Sequence, residues 1–211
     1  METTYNRLAG QSIERLSALS DGVFAVAMTL LVLDLHTPVS EAIHSEQALV
    51  QALMPLGHRL ISYLMSFITL SLFWNGQQAQ LIHFDRSNRH LTWIHLGFLF
   101  AVTLMPFSTG LLAEFVTYRS ALLLYWGNIV LLGVTLYASW FYARCAGLLR
   151  ADTAPEVYPA VRRRIVIAQA LYASGAALCF VNTWISIAVF IAVQLYFAIA
   201  PAYRAKAGRR G

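Results

Sequence analysis

Residues 20–35 read SDGVFAVAMTLLVLDL, which is an aspartate followed by an almost unbroken aliphatic run. A helix needs about 20 mostly apolar residues to cross a bilayer. Together with the residues just before it, this stretch predicts a transmembrane helix over 16–35. An ionisable side chain at membrane depth is costly unless it is paired or hydrated, so Asp21 is a candidate functional residue.

The composition places the chain among integral membrane proteins. Of its 211 residues, 58% are hydrophobic and only 12% are charged, which is more apolar material than a soluble domain of this size can bury. The spacing of Cys145 and Cys179 matches neither a metal site nor a disulfide framework. Phosphate-binding loops, zinc-type His-Glu-x-x-His and nucleophile-elbow motifs are absent from the sequence, so we expect neither an enzyme nor a cofactor.

The apolar runs predict an all-α membrane protein with six transmembrane helices in a single domain over 1–211. The predicted spans are 16–35, 56–81, 91–113, 120–143, 165–182 and 184–202. Nothing in the second half repeats the pattern Arg-x-x-x-Leu-Ser-Asp-Gly of residues 15–22. Because a two-repeat transporter would show such a repeat, any symmetry must come from an oligomer.

The basic residues predict the orientation of these spans. Of the 15 lysines and arginines, only Arg59 and Arg119 fall outside the terminal segments and the second and fourth loops. Cytoplasmic loops carry the excess of positive charge in membrane proteins, so both termini are expected in the cytoplasm. The basic residues are not interleaved with aromatic ones as in a nucleic-acid platform, and no nucleic-acid partner is expected.

The first predicted helix carries an aliphatic stripe. At about 100° per residue, Val26, Leu30 and Leu33 lie on one line, with Gly22 one turn below and Thr29 about 60° to the side. Such a stripe can face lipid. Alternatively, a ring of these stripes around a symmetry axis forms a hydrophobic constriction that gates by dewetting.

Asp21 points away from this stripe. It lies about 140° from Val26 on the helical wheel, so we expect it to fix the helix and not to coordinate an ion directly. Arg15 is six residues earlier, beyond the reach of a helical i, i+4 pair. A contact between the two therefore requires a late helix start or two different chains.

Residues 15–22 (RLSALSDG) resemble the Arg-x-x-x-Phe-Ser-Asp signature of the transmembrane protein 175 family, the lysosomal potassium channels of animals and their smaller prokaryotic relatives. The run that follows resembles the first helix of that family, and Phe73-Trp74 and residues 104–107 (LMPF) extend the resemblance into helices two and three. For a single-repeat prokaryotic member, the resemblance implies a tetramer in which helix one lines a central pore.

The resemblance assigns roles position by position. The pore constriction would be Val26, Leu30 and Leu33, and the pore-adjacent hydroxyl would be Thr29. The signature and its bracing network would be Arg15, Ser20, Asp21, Gly22, Trp74, Gln77 and His95. Three positions depart from the family pattern: Leu19 replaces Phe, Gln77 stands where a His is common, and His95 stands where Asn is expected. Gln77 and His95 can still donate hydrogen bonds, so we expect an altered network to persist.

The resulting hypothesis is a potassium-preferring cation leak channel, a homotetramer in the lipid bilayer of a prokaryotic plasma membrane. It would conduct K⁺ without a metal site or a cofactor. Because the Thr-Val-Gly-Tyr-Gly filter is absent, only a modest preference for potassium over sodium is expected. The alternative is a proton-coupled secondary cation transporter in which Asp21 titrates.

Overall fold

The computed structural model describes residues 12–37, 44–54 and 56–207. The helices are α1 (Ile13–Leu30), α2 (Glu46–Leu53), α3 (Leu56–Leu81), α4 (Arg89–Thr103), α5 (Met105–Glu114), α6 (Arg119–Cys145), α7 (Val157–Ala177) and α8 (Thr183–Ala207), with 3₁₀ turns at Leu31–Asp34 and Leu178–Phe180. Within these ranges the fold is all-helical apart from one isolated bridge between Phe84 and Leu149. Arg7, Arg209 and Arg210, which contribute to the predicted orientation, lie outside the described residues.

Four helical segments among the described residues are long and apolar enough to cross a membrane. They are Ile13–Asp34, Leu56–Leu81, Arg89–Glu114 and Arg119–Cys145. These segments coincide with the first four predicted spans to within a few residues, so the prediction of a multi-pass, all-helical membrane protein is confirmed.

The third of these segments is broken. Its helix stops at Thr103, and α5 begins at Met105 with Pro106 in its first turn. Proline has no backbone N–H and is tolerated in a first turn, where that N–H has no intrahelical partner. The break therefore lies where the sequence has its only proline in this span.

The fifth and sixth predicted spans correspond to α7 and α8, which are not among these four segments, and their bounds differ from the prediction. We predicted a span beginning at residue 165, whereas α7 begins at Val157 and places Arg162–Arg164 in its second turn. Pro159 lies in the first turn of this helix, where proline is tolerated. In the short connection between α7 and α8, the Asn182 side chain accepts a hydrogen bond from the Trp184 backbone N–H at 2.8 Å and caps the start of α8.

Two loops meet at one end of the bundle. The backbone N–H of Asp85 donates to Leu148 at 2.9 Å, and that of Arg150 donates to His83 at 2.9 Å. Beneath this bridge, Trp140 stacks between the rings of Phe84 and Tyr158, at centroid distances of 5.9 and 5.7 Å. The α3–α4 and α6–α7 loops, which charge counting assigns to the same side, therefore lie at the same end of the molecule.

Candidate functional site

One face of α1 packs against the rest of the bundle. Its buried residues follow one another at intervals of three or four, as one side of an α-helix requires. They are Leu16, Ser20, Phe24 and Ala27, and Leu31 at the start of the 3₁₀ turn continues the series. Phe24 is the main apolar anchor, since it is 1% exposed and its ring centroid lies 5.9 Å from that of Phe98 on α4. This contact fixes which side of α1 is turned inward.

The predicted constriction residues lie on the opposite face. Val26 is 58% exposed, Leu30 43% and Leu33 64%. A Cβ atom added at Gly22 would meet nothing within 4 Å, so the surface there is open as well. Gly22, Val26 and Leu30 border a shallow groove of about 430 Å³ that extends to Thr103 on α4. The single chain therefore presents an uncovered apolar stripe along its first helix.

The upper end of this stripe is not α-helical. The turn over Leu31–Asp34 is a 3₁₀ helix that continues directly from α1. Side chains three residues apart eclipse in a 3₁₀ helix, which has about 3 residues per turn and rises about 2 Å per residue. Leu33 is therefore aligned with Leu30 more closely than in an α-helix, where three residues turn through about 300°.

Thr29 lies on the exposed side of α1, beside the stripe. Its Oγ1 donates to the backbone carbonyl of Val26 at 2.8 Å. The hydroxyl proton is thus directed into the helix, and the oxygen lone pairs are turned outward. Thr29 can offer an acceptor to water or to a cation, but not a free donor.

Ser20, Gln77 and His95 meet in the interior, where each is at most 2% exposed. Ser20 Oγ lies 2.7 Å from His95 Nε2 and accepts from Gln77 Nε2 at 2.7 Å, and the two nitrogens are 3.0 Å apart. Ser20 Oγ also lies 2.7 Å from the backbone carbonyl of Leu16, to which it can donate. The cluster connects α1 to α3 and to α4 through a single hydroxyl.

Two proton arrangements connect the three side chains, and in both the Gln77 Oε1 atom is buried without a hydrogen-bond partner among the described residues. If Ser20 donates to the Leu16 carbonyl, its oxygen accepts from both Gln77 and a protonated His95 Nε2. If His95 Nε2 is unprotonated, its one lone pair accepts from Ser20, whose oxygen still accepts from Gln77. Because a hydroxyl and an amide can both reorient, the three side chains stay connected in either case.

Asp21 is held by the neighbouring helix. Its Oδ1 accepts from Trp74 Nε1 at 2.8 Å and from Gln78 Nε2 at 2.8 Å, two residues one turn apart on α3. The carboxylate lies on the surface of the single chain, on a different side of α1 from the Val26 stripe. Arg15 lies in the same continuous helix, and within the described ranges it forms no ion pair with Asp21.

Sequence reasoning missed two further sets of contacts. Gln78 donates a hydrogen bond to Asp21, as Trp74 does. Because Gln78 follows Trp74 by four residues, the two lie on the same face of a helix, and this spacing could have indicated the contact. At the other end of α1, Arg59 donates to the Asp34 carbonyl at 3.3 Å and pairs with the Glu114 carboxylate. The Arg59 guanidinium therefore neutralises part of the negative charge that Asp34 and Glu114 bring to this end of the molecule.

A second buried polar cluster crosses the bundle centre. Thr109 Oγ1 donates to Ser66 Oγ at 2.7 Å, and Gln194 Nε2 donates to Thr69 Oγ1 at 2.8 Å. The Tyr125 hydroxyl lies 3.2 and 3.3 Å from Ser66 and Thr69. The signal in the sequence was the spacing of Ser62, Ser66 and Thr69 at i, i+4 and i+7, which predicts one polar helix face.

Within the described residues, no three His, Cys, Asp or Glu side chains lie close enough together to hold a metal ion. The chemistry available along α1 is therefore that of an apolar stripe, one adjacent hydroxyl and a hydrogen-bonded carboxylate on the flank.

Comparison with known proteins gives the family. A family model described as the endosomal/lysosomal potassium channel TMEM175 matches residues 15–106. A potassium channel of Chamaesiphon minutus is 30% identical over 189 residues, which cover 88% of this chain and 93% of the relative. The endosomal/lysosomal proton channel TMEM175 of Danio rerio is 33% identical over 91 residues, which cover 41% of this chain and 18% of the relative.

A solved structure has the same fold. The crystal structure of a homologue of the lysosomal potassium-selective channel TMEM175 from Chamaesiphon minutus superposes with a TM-score of 0.78 at 27% identity, covering 89% of this chain and 97% of that one. The family is one of ion channels and not of enzymes. Since the identity, the coverage and the fold agree, this chain belongs to the TMEM175 family of channels.

Proposed function

We propose that the chain is one subunit of a homotetrameric, potassium-preferring cation leak channel in a prokaryotic plasma membrane. Each subunit would contribute six transmembrane helices with both termini in the cytoplasm, and α1 would line a central pore. The observation that carries the proposal is the stripe of Val26, Leu30 and Leu33, which is exposed along a helix whose other face is anchored.

The stripe suits a hydrophobic gate. Four copies of α1 around one axis would place rings of aliphatic side chains along the ion path, and a narrow apolar passage blocks ions by excluding water. The 3₁₀ turn favours such a gate, because it aligns Leu33 more closely with Leu30 and makes two successive rings of the same side chain. Thr29 would lie next to these rings as an acceptor for a partly dehydrated ion.

The proposed selectivity is modest. A channel without a ring of backbone carbonyls cannot replace the hydration shell of potassium site by site. Preference for potassium over sodium would then come from the lower cost of removing water from the larger ion. Conduction would be passive and would need no nucleotide or redox cofactor.

The gate is tested by Leu30→Ala, with Leu64→Ala as the matched control. Leu64 lies on α3 and is 49% exposed, close to the 43% of Leu30, so both changes remove the same side chain from a similar surface. Potassium flux into liposomes is expected to rise severalfold for the Leu30 variant only. Unchanged flux in that variant would show that the pore is elsewhere.

Reversal potentials in bilayers under a potassium/sodium gradient test the selectivity separately. A reversal potential of zero would contradict the potassium preference while leaving the gate intact.

The second candidate function is proton-coupled transport. It is favoured by Asp21, a carboxylate at membrane depth, and by the description of the animal relatives as proton channels. A transporter predicts saturable, pH-driven flux that disappears in Asp21→Asn. A channel predicts non-saturating currents, with the Asp21 variant affecting mainly stability and assembly, because the carboxylate bonds to Trp74 and Gln78.

A further inference from the structure

A cavity separate from the α1 groove opens between α3, α6, α7 and α8. Its volume is about 290 Å³, and its apolar lining includes Leu72, Leu136, Ile165, Tyr172 and Phe197. None of these residues belongs to the proposed pore or to the network around Asp21. The cavity therefore needs an explanation of its own.

The inner wall of the cavity is built by two glutamines that face backbone carbonyls. Gln169 Nε2 donates to Ile129 at 3.2 Å, and Gln80 Nε2 donates to Leu136 at 3.3 Å. Gln169 can lie flat against α6 only because residue 133 is glycine, where an added Cβ would come within 1.9 Å of the amide nitrogen. Since both amide nitrogens are bonded to the backbone and most of the other lining side chains are aliphatic or aromatic, the space in front of them suits hydrocarbon.

The rim of the cavity is positively charged. The Arg164 guanidinium lies over the ring of Phe197, 5.8 Å from its centroid, which holds the charge at the cavity mouth. Arg162 and Arg163 are its neighbours in the second turn of α7, and all three are exposed. In the part of the chain that the structure describes, none of the three pairs with a carboxylate.

An apolar slot beneath an unneutralised arginine matches one ligand chemistry. Basic pockets between transmembrane helices on the cytoplasmic side bind anionic lipid headgroups. A guanidinium can bind phosphate through two parallel hydrogen bonds. The volume lies near the lower end of about 300–1,000 Å³ found for ligand sites, so part of an acyl chain would fill it.

We propose that this cavity is a binding site for an anionic phospholipid of the cytoplasmic leaflet, with the phosphate on Arg164 and the first part of one acyl chain in the slot. The proposal rests on the orientation in which the α6–α7 loop is cytoplasmic. It goes beyond the channel function, and because lipid retention requires no ion flux, it can fail or stand independently of the pore.

The test is native mass spectrometry of the protein purified in detergent with equal amounts of phosphatidylglycerol and phosphatidylcholine. The wild type is expected to retain phosphatidylglycerol preferentially. Arg164→Gln should reduce that retention about fivefold, the effect of one basic residue at a membrane surface. Arg163→Gln removes the same charge from the adjacent position, which does not line the cavity, and should retain the lipid.

A second pair of variants tests the slot. Ala168 lines the cavity and Ala170 does not, although both lie on α7. Ala168→Phe is expected to displace the lipid and Ala170→Phe is not, with folding checked by the elution volume and the thermal melt of each variant.

Three results would overturn the proposal. The first is equal retention of the two lipids by the wild type, and the second is no retention of either. The third is an equal loss in the Arg163 and Arg164 variants, which would indicate diffuse surface charge and not a site.

Discussion

Ser20→Ala tests whether the network at the base of α1 holds that helix in place. Ser20 is fully buried, and its hydroxyl oxygen is within 2.7 Å of Gln77 Nε2 and of His95 Nε2. The change removes only this oxygen and leaves the backbone and the packing of α1 nearly unaltered. Its effect therefore measures mainly the two interhelical contacts, since the third contact of this oxygen, with the Leu16 carbonyl, lies within α1.

The expected loss follows from the geometry. Interhelical hydrogen bonds in membrane proteins are worth on average about 0.6 kcal/mol and at most about 1.7 kcal/mol. Two such bonds, both short and fully buried, give about 1–3 kcal/mol. Gln77 and His95 are already 3.0 Å apart and can partly compensate by bonding to each other, so we expect about 1–2 kcal/mol. In a chain of this size that corresponds to a decrease in melting temperature of about 2–8 °C.

The measurement is thermal unfolding in detergent, with Ser17→Ala as the control. Ser17 lies on the same helix, but its hydroxyl makes only a long contact of 3.4 Å with Gln78. That variant should change the stability by less than about 0.5 kcal/mol. A double-mutant cycle with Gln77→Met should give a non-additive result, because the two side chains share one hydrogen bond.

Equal melting temperatures for the Ser17 and Ser20 variants would refute the bracing role. An additive cycle would refute the direct coupling of Ser20 to Gln77, even if Ser20→Ala alone were destabilising.

Two further changes test other contacts. Gly175→Ala is expected to cost about 1–3 kcal/mol, because the new Cβ would lie 2.8 Å from the buried ring of Phe190. Gly127→Ala, which points into open space, should stabilise its helix by up to about 1 kcal/mol, so the two melting temperatures should move in opposite directions. Arg59→Gln removes the ion pair with Glu114, whose side chains are 26% and 54% exposed, and should cost less than about 1 kcal/mol. That loss should shrink in high salt, and a salt-independent loss would show that packing and not charge is responsible.

The membrane helices could be predicted from the sequence because hydropathy alone decides them. The runs over 56–81 and 120–143 agree with α3 and α6 to within two residues. The start of α7 could not be predicted in this way, since its first turns carry Pro159 and three arginines and therefore resemble a polar loop. In the structure this start is packed against α6 through the ring of Tyr158, which stacks on Trp140, and hydropathy does not detect such a contact.

The site was predictable only in part. The helical wheel placed Asp21 and the Val26 stripe on different sides, and the structure gives them different surroundings. The 3₁₀ turn after Leu30 could not be foreseen, because Leu31, Val32 and Leu33 are all compatible with a continuing α-helix. The pairing of Gln77 with Ser20 also depends on how α3 and α1 cross, and the periodicity of one helix carries no information on that crossing.

The polar contacts of Ser20 and Asp21 explain how an aspartate can support the nearby Val26 stripe by fixing the orientation of α1. Ser20 and Asp21 are adjacent, so their side chains leave α1 about 100° apart. Ser20 is bonded to α3 and α4 in the interior, whereas Asp21 is bonded to Trp74 and Gln78 on the flank. Two bonds in different directions prevent the helix from rotating about its own axis, as a single bond would not. Val26 lies five residues farther along, about 7.5 Å up the same rigid helix, so its direction is set by the same two bonds. The carboxylate therefore needs no contact with an ion to be required for the proposed gate.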